Sequence, residues 1–104
     1  MAALPELPDE VARAYLLERF ADFLALEQGS SPLTREAYGR DLARFASWGR
    51  AHGAPTPRDV APRALRDYVY HLKDLGLSPA SIRRNVSALR TYYRFLLGEG
   101  LVVR

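Results

Sequence analysis

Among the residues of this chain that could do chemistry, arginines stand out by type and by spacing. Between Ser78 and Leu97 the sequence carries Arg83, Arg84, Arg90 and Arg94 together with the hydroxyls of Ser87 and Thr91, and it holds no Asp or Glu there. On a helix turning about 100° per residue, with Ile82 at 0°, Arg83, Arg90 and Arg94 fall at about 100°, 80° and 120°, Ser87 at about 140°, Thr91 at about 180° and Arg84 at about 200°. Guanidiniums with no acid at i±3 or i±4 have no local partner, and such a cationic ridge complements phosphate oxygens. By residue type alone a solvated helix face accounts for the same ridge, because charge runs commonly just keep a helix soluble. The missing acids favour a polyanion.

A second, weaker ridge lies upstream. With Tyr38 at 0°, Ser47, Arg40 and Arg44 fall at about 180°, 200° and 240°, beside the small side chains Ala43 and Ala51 that would let a duplex approach. Glu36 and Asp41 interrupt this segment, so an ordinary exposed face explains it when it is taken alone. Both segments open on Ser-Pro, at Ser31-Pro32 and Ser78-Pro79. A helix N-terminus attracts phosphate, although plain N-capping is sufficient reason for the serines. Thr34 and Ser87 are expected on or beside the basic surface as neutral donors.

Other chemistries find little support. The chain has no cysteine, which excludes a disulfide framework, a thiolate metal site and a Cys nucleophile, and two separate histidines do not make a zinc site. His52 falls at a helix end and His71 on the polar side of a helix, with no nucleophile or ligand set beside either. No glycine-rich phosphate loop, paired carboxylates or Ser/His/Asp arrangement occurs. The reading is therefore of a binding module that needs no cofactor, metal or small-molecule substrate. Most aromatics lie on apolar stripes and are expected in the core. Tyr92 and Phe95 fall off the stripe of their segment, free to cover a loop or meet a partner.

The elements that position these residues are helical. Gly and Pro divide the 104 residues into four periodic segments, with no alternating stretch that would argue for a sheet. The first runs from about Pro8 to Gln28 with Leu16, Leu17, Phe20, Phe23 and Leu24 on one face. The second runs from Ser31-Pro32 to about His52, and the third from about Pro62 to Leu75. The fourth begins at Ser78-Pro79 and carries Ile82, Val86, Leu89, Tyr93 and Leu96 on one side. Gly53 to Ala61 reads as a loop with one short turn from Thr56 to Asp59. One core is expected from Leu17, Phe20, Tyr38, Leu42, Phe45, Leu65, Val69, Leu72, Ile82, Val86, Leu89 and Tyr93. An all-α single domain over 1–104 follows.

Composition agrees: 48% hydrophobic and 26% charged residues are ordinary for a globular domain. No apolar run approaches the roughly 20 residues of a membrane span, and no basic leader precedes an apolar core at the N-terminus, so a cytoplasmic protein without a membrane partner is expected. The net charge of +3 is unevenly spread: residues 1–30 hold two Arg against six acids, and residues 31–104 hold 13 basic residues against six acids. That asymmetry suggests one face for a polyanion and another that avoids it.

Ser31, Thr34, Tyr38, Asp41, Leu42 and Phe45, in the pattern S-x-x-T-x-x-x-Y-x-x-D-L-x-x-F, are followed downstream by Ser87-Ala88-Leu89-Arg90, Tyr93 and Phe95-Leu96. Together they resemble the N-terminal core-binding domain of tyrosine recombinases and phage integrases, closest to the XerC/XerD type, over about residues 13–104. The resemblance implies a four-helix, SAM-like domain forming half of a clamp on the DNA of a recombination half-site, in integration or chromosome-dimer resolution. Its second and fourth helices would face the duplex, which places Thr34, Arg40, Arg44, Arg83, Arg84, Ser87, Arg90 and Arg94 as DNA-binding residues. Other recombinase protomers would be partners in the full-length complex. The family's chemistry lies in a separate C-terminal domain, where a Tyr nucleophile attacks DNA, and the present chain is expected to lack it and to have no catalytic residue of its own. A helical protein-interaction module without DNA binding is the alternative. A helix-turn-helix regulator fits less well, because these helices are too long. Ala61 departs from the family pattern, which often has a capping hydroxyl there.

Overall fold

A computed structural model describes residues 7–27 and 29–102. Gln28, expected to end the first segment, and the last two residues lie outside the described part. The described residues form five α-helices: α1 Asp9–Ala14, α2 Leu17–Leu26, α3 Pro32–Ala51, α4 Pro62–Asp74 and α5 Pro79–Gly98, with a 3₁₀ turn at Pro57–Asp59. None of the helices is long and apolar enough to cross a membrane.

The local signals for α3 and α5 act as their chemistry requires. Ser31 Oγ accepts the Thr34 N–H at 3.1 Å, and Ser78 Oγ accepts the Ser81 N–H at 3.1 Å, each with proline at the first helical position. Ala61 gives α4 no side-chain cap. In the loop, Asp59 Oδ2 accepts both the Thr56 N–H at 3.1 Å and its hydroxyl at 2.7 Å, which closes the expected short turn. Gly76 leaves α4 at a φ of 85°, the left-handed conformation that glycine adopts without strain.

The first segment is two helices rather than one. Leu16 adopts a left-handed conformation at φ 55°, ψ 39°, which costs a non-glycine residue of order 1–3 kcal/mol and needs other contacts to hold it. Those contacts are tertiary. The Tyr15 hydroxyl donates to the Ala54 carbonyl at 2.6 Å, and the Tyr15 carbonyl accepts the Tyr92 hydroxyl at 2.6 Å. Gly49 makes room for them, because a Cβ there would collide with the Tyr15 hydroxyl. The break lets α1 pack on α3 while α2 packs on both α3 and α5.

The core differs from the expected one by a rotation of α5. Its buried residues are Asn85, Ala88, Leu89, Tyr92, Phe95 and Leu96, an arc centred near about 280° in the frame that puts Ile82 at 0°. Ile82, Val86 and Tyr93, expected inside, are only half-buried, as are Leu17, Tyr38, Leu65 and Val69. Phe20, Leu42, Phe45, Leu72 and Leu89 are buried as expected. Tyr92 and Phe95 are not free for a partner: Phe20 stands 5.2 Å from the Tyr92 ring and 5.7 Å from the Phe95 ring. The apolar arc of α5 is wide, and packing by α2 on one side decides which part of it goes inside.

Candidate nucleic-acid interface

Rotation of the core sharpens the ridge on α5. Arg83, Ser87, Arg90 and Arg94 are all exposed, and their mean direction near about 110° lies almost opposite the buried arc. Arg84, at about 200°, sits at the margin between the two. Its guanidinium is not free: Nε donates to Asp41 Oδ2 at 2.9 Å and Nη2 donates to Asp41 Oδ1 at 2.8 Å. The Asp41 side chain is 2% exposed and that of Arg84 38%. Hydrogen bonding to Asp41 raises the Arg84 pKa further above its ordinary value.

Asp41 is the residue that sequence reasoning misjudged. Rather than an acid interrupting an exposed ridge, it is a buried anchor between α3 and α5. Its position at about 300° in the Tyr38 frame, toward the apolar side, was the available signal. Near it the Tyr68 hydroxyl is buried with no hydrogen-bond partner, and burial raises the Tyr68 pKa strongly, with Arg44 opposing and Asp41 adding to the rise. Arg44 is therefore a half-buried neighbour of α4 as well as a ridge residue.

Two other arginines of the candidate interface have partners. Arg94 Nη2 lies 3.0 Å from Glu27 Oε1, and Arg40 Nη1 lies 3.2 Å from Glu36 Oε1, both as exposed pairs. Such pairs contribute about 0–1 kcal/mol and yield readily to a competing anion. Among the described residues, Arg44, Arg83 and Arg90 have no carboxylate within 4.0 Å. Thr34 is exposed on the first turn of α3, its Oγ1 accepting the Ser31 hydroxyl at 2.9 Å.

Contacts along the two helices run in opposite order: Glu27, ahead of α3, meets Arg94 late in α5, and Asp41, midway along α3, meets Arg84 early in α5. α3 and α5 also pack on each other more extensively than any other pair. The two basic helices are thus neighbours joined along their length. The histidines lie elsewhere, His52 stacked at 4.3 Å on Trp48 and His71 6.2 Å from the same ring.

Residues 17–100 match the family described as phage integrase, N-terminal SAM-like domain. The chain belongs to this family. Relatives of this integrase SAM-like domain include tyrosine recombinase XerD of Chlorobaculum tepidum, 40% identical over 85 residues that cover 82% of the chain and 28% of that protein. Tyrosine recombinase XerD of Bradyrhizobium diazoefficiens is 42% identical over 87 residues, covering 83% of the chain and 27% of its own length. Tyrosine recombinase XerC of Xanthomonas campestris pv. campestris is 36% identical over 95 residues, covering 91% and 30%. The SAM-like domain thus spans less than a third of the relatives it matches. No solved structure gives a significant match.

Proposed function

We propose that this chain is the DNA-binding N-terminal domain of a cytoplasmic site-specific tyrosine recombinase, one half of a clamp on duplex DNA that works with other protomers in integration or chromosome-dimer resolution. The observation that carries the reading is the exposed row Arg83, Ser87, Arg90 and Arg94, almost opposite the buried face of α5 and without an acid on that helix. Arg40, Arg44, Arg84 and Thr34 extend it across the α3–α5 junction. In this reading strand cleavage is the work of a separate catalytic domain, and residues 1–104 contribute binding. Four of the six tyrosines are set against a nucleophile's role: burial holds the phenols of Tyr68, Tyr92 and Tyr93 above their ordinary pKa and pushes Tyr15 up to about 12, the reverse of what activates a nucleophile.

Titration with duplex DNA at two salt concentrations tests the proposal. Half a clamp should bind in the non-specific range, with Kd of about 10⁻⁴ to 10⁻⁶ M at physiological salt and steep salt dependence. Arg90→Ala should weaken binding to every sequence and make the salt slope shallower by about one, and Arg13→Ala on α1 should do neither. Binding that ignores salt, or that responds to Arg13 and not to Arg90, would place the DNA on another side or remove it altogether.

A further inference from the structure

We propose that Asp41 is a positioning residue for DNA reading: it grips one edge of the Arg84 guanidinium from inside the domain and so presents the other edge to the N7 and O6 acceptors of a guanine. This rests on the DNA-binding reading above and adds a division of labour within it.

The argument begins with the guanidinium. Its five N–H donors lie in one plane in fixed directions. Asp41 takes the Nε–H and one N–H of Nη2. Three donors remain, and two of them, one on Nη1 and one on Nη2, form the parallel fork that matches a guanine edge. The carboxylate is buried at 2% exposure while the Arg84 side chain keeps 38%. The grip is therefore inside, and the proposal assigns the remaining fork to the part of the side chain that stays accessible. Because the geometry is set by the fold, rotamer freedom is lost before DNA arrives, and the side chain is preorganised for a directional contact.

Charge separates guanine from phosphate as the acceptor. The Asp41–Arg84 pair is neutral as a unit, so its attraction for an anionic phosphate is largely cancelled by the carboxylate behind it. A guanine edge carries no net charge and responds to donor direction. Arg83 and Arg90 are the opposite case, exposed and without a carboxylate within 4.0 Å among the described residues. They suit phosphates, which need charge more than aim.

The test is selection from a pool of randomised DNA duplexes at low salt, using the whole chain, Asp41→Asn and Arg84→Lys, with thermal melts confirming that each is folded. The wild-type chain should enrich a motif containing a fixed guanine. Both variants should lose about tenfold of the preference at that one position, keeping the others. The loss at that one position should exceed any change in affinity for the unselected pool, because Arg84→Lys keeps its charge and Asp41→Asn removes a negative one. A purely structural clamp would lower all binding together, by the unfolded fraction, and leave the motif intact. Should Asp41→Asn fail to fold, Asp41→Glu takes its place: it keeps the charge but shifts the grip by one methylene, and the same loss of preference is expected. Salt-sensitive DNA binding with no fixed guanine, or a motif unchanged in the folded variants, overturns the role of Asp41. Absence of any duplex binding would instead overturn the DNA-binding reading beneath it.

Discussion

Where α1 meets α2 and α5, the polar contacts are neutral and sealed, whereas the contact between α3 and α5 at Asp41 and Arg84 is ionic and reaches solvent. At the first junction two phenols, each fully buried, donate to backbone carbonyls at 2.6 Å, and the backbone bends through Leu16 to allow it. At the second, a buried carboxylate holds the guanidinium of an arginine whose side chain is 38% exposed. Neutral bonds of this kind fix chain direction without the desolvation penalty of a charge, and nothing outside can compete for them. A charge left half open serves a different purpose: it stiffens a helix crossing and leaves donors for a ligand. The two junctions should therefore fail differently when altered.

Gly49→Ala should give the largest effect. The new methyl displaces the Tyr15 hydroxyl from Ala54, combining overpacking with a broken buried hydrogen bond, and should cost about 3 kcal/mol or more. In a domain of this size that lowers Tm by roughly 12–24 °C in a thermal melt. A loss under about 1 kcal/mol would mean that the sealed junction is looser than its geometry.

At the open junction the two partners should differ. Arg84→Ala strands a buried carboxylate and should lower stability in urea by about 3 kcal/mol, whereas Asp41→Ala leaves a guanidinium that water reaches and should lower it by about 1 kcal/mol. Equal losses would show that the guanidinium is as enclosed as the carboxylate and would erase the contrast.

Alkaline pH should act on the buried phenols, of which Tyr15 and Tyr92 hold the sealed junction while Tyr68 lies near Asp41. The four phenols at Tyr15, Tyr68, Tyr92 and Tyr93 have raised pKa values, chiefly through burial, with Tyr15 at about 12. Folding favours the neutral phenol, so this contribution is complete below the unfolded value of about 10 and is withdrawn as pH rises toward the folded values. The urea midpoint should fall between about pH 10 and 12, with phenolate absorbance from these tyrosines appearing together with unfolding. An unchanged midpoint across that window would place water at the phenols.

The smallest stability effect belongs to Arg94→Ala. Its pair with Glu27 is exposed, 64% on the arginine side, and should contribute under about 1 kcal/mol. The same substitution should make the salt slope of duplex binding shallower by about one, which separates a ligand-facing arginine from a structural one.

Residue order along the chain determined what acts within a turn or two. Ser31-Pro32 and Ser78-Pro79 start their helices and Thr56 with Asp59 closes its turn, because a cap reaches only three residues. The outward arginine row of α5 was legible for the same reason, since its spacing and the absence of acids are local properties. The family pattern from Ser31 to Phe45 was legible as a string. Tertiary structure alone decided the rest. Tyr15 reaches Ala54 across 39 residues, Arg84 reaches Asp41 across 43, and Tyr92 reaches Tyr15 across 77. Periodicity carries no record of such partners, so it could not show the break at Leu16 or the carboxylate waiting for Arg84. Nor could it set the phase of α5, whose apolar positions cover too wide an arc to name an inside until Phe20 and Phe23 press against Phe95 from α2.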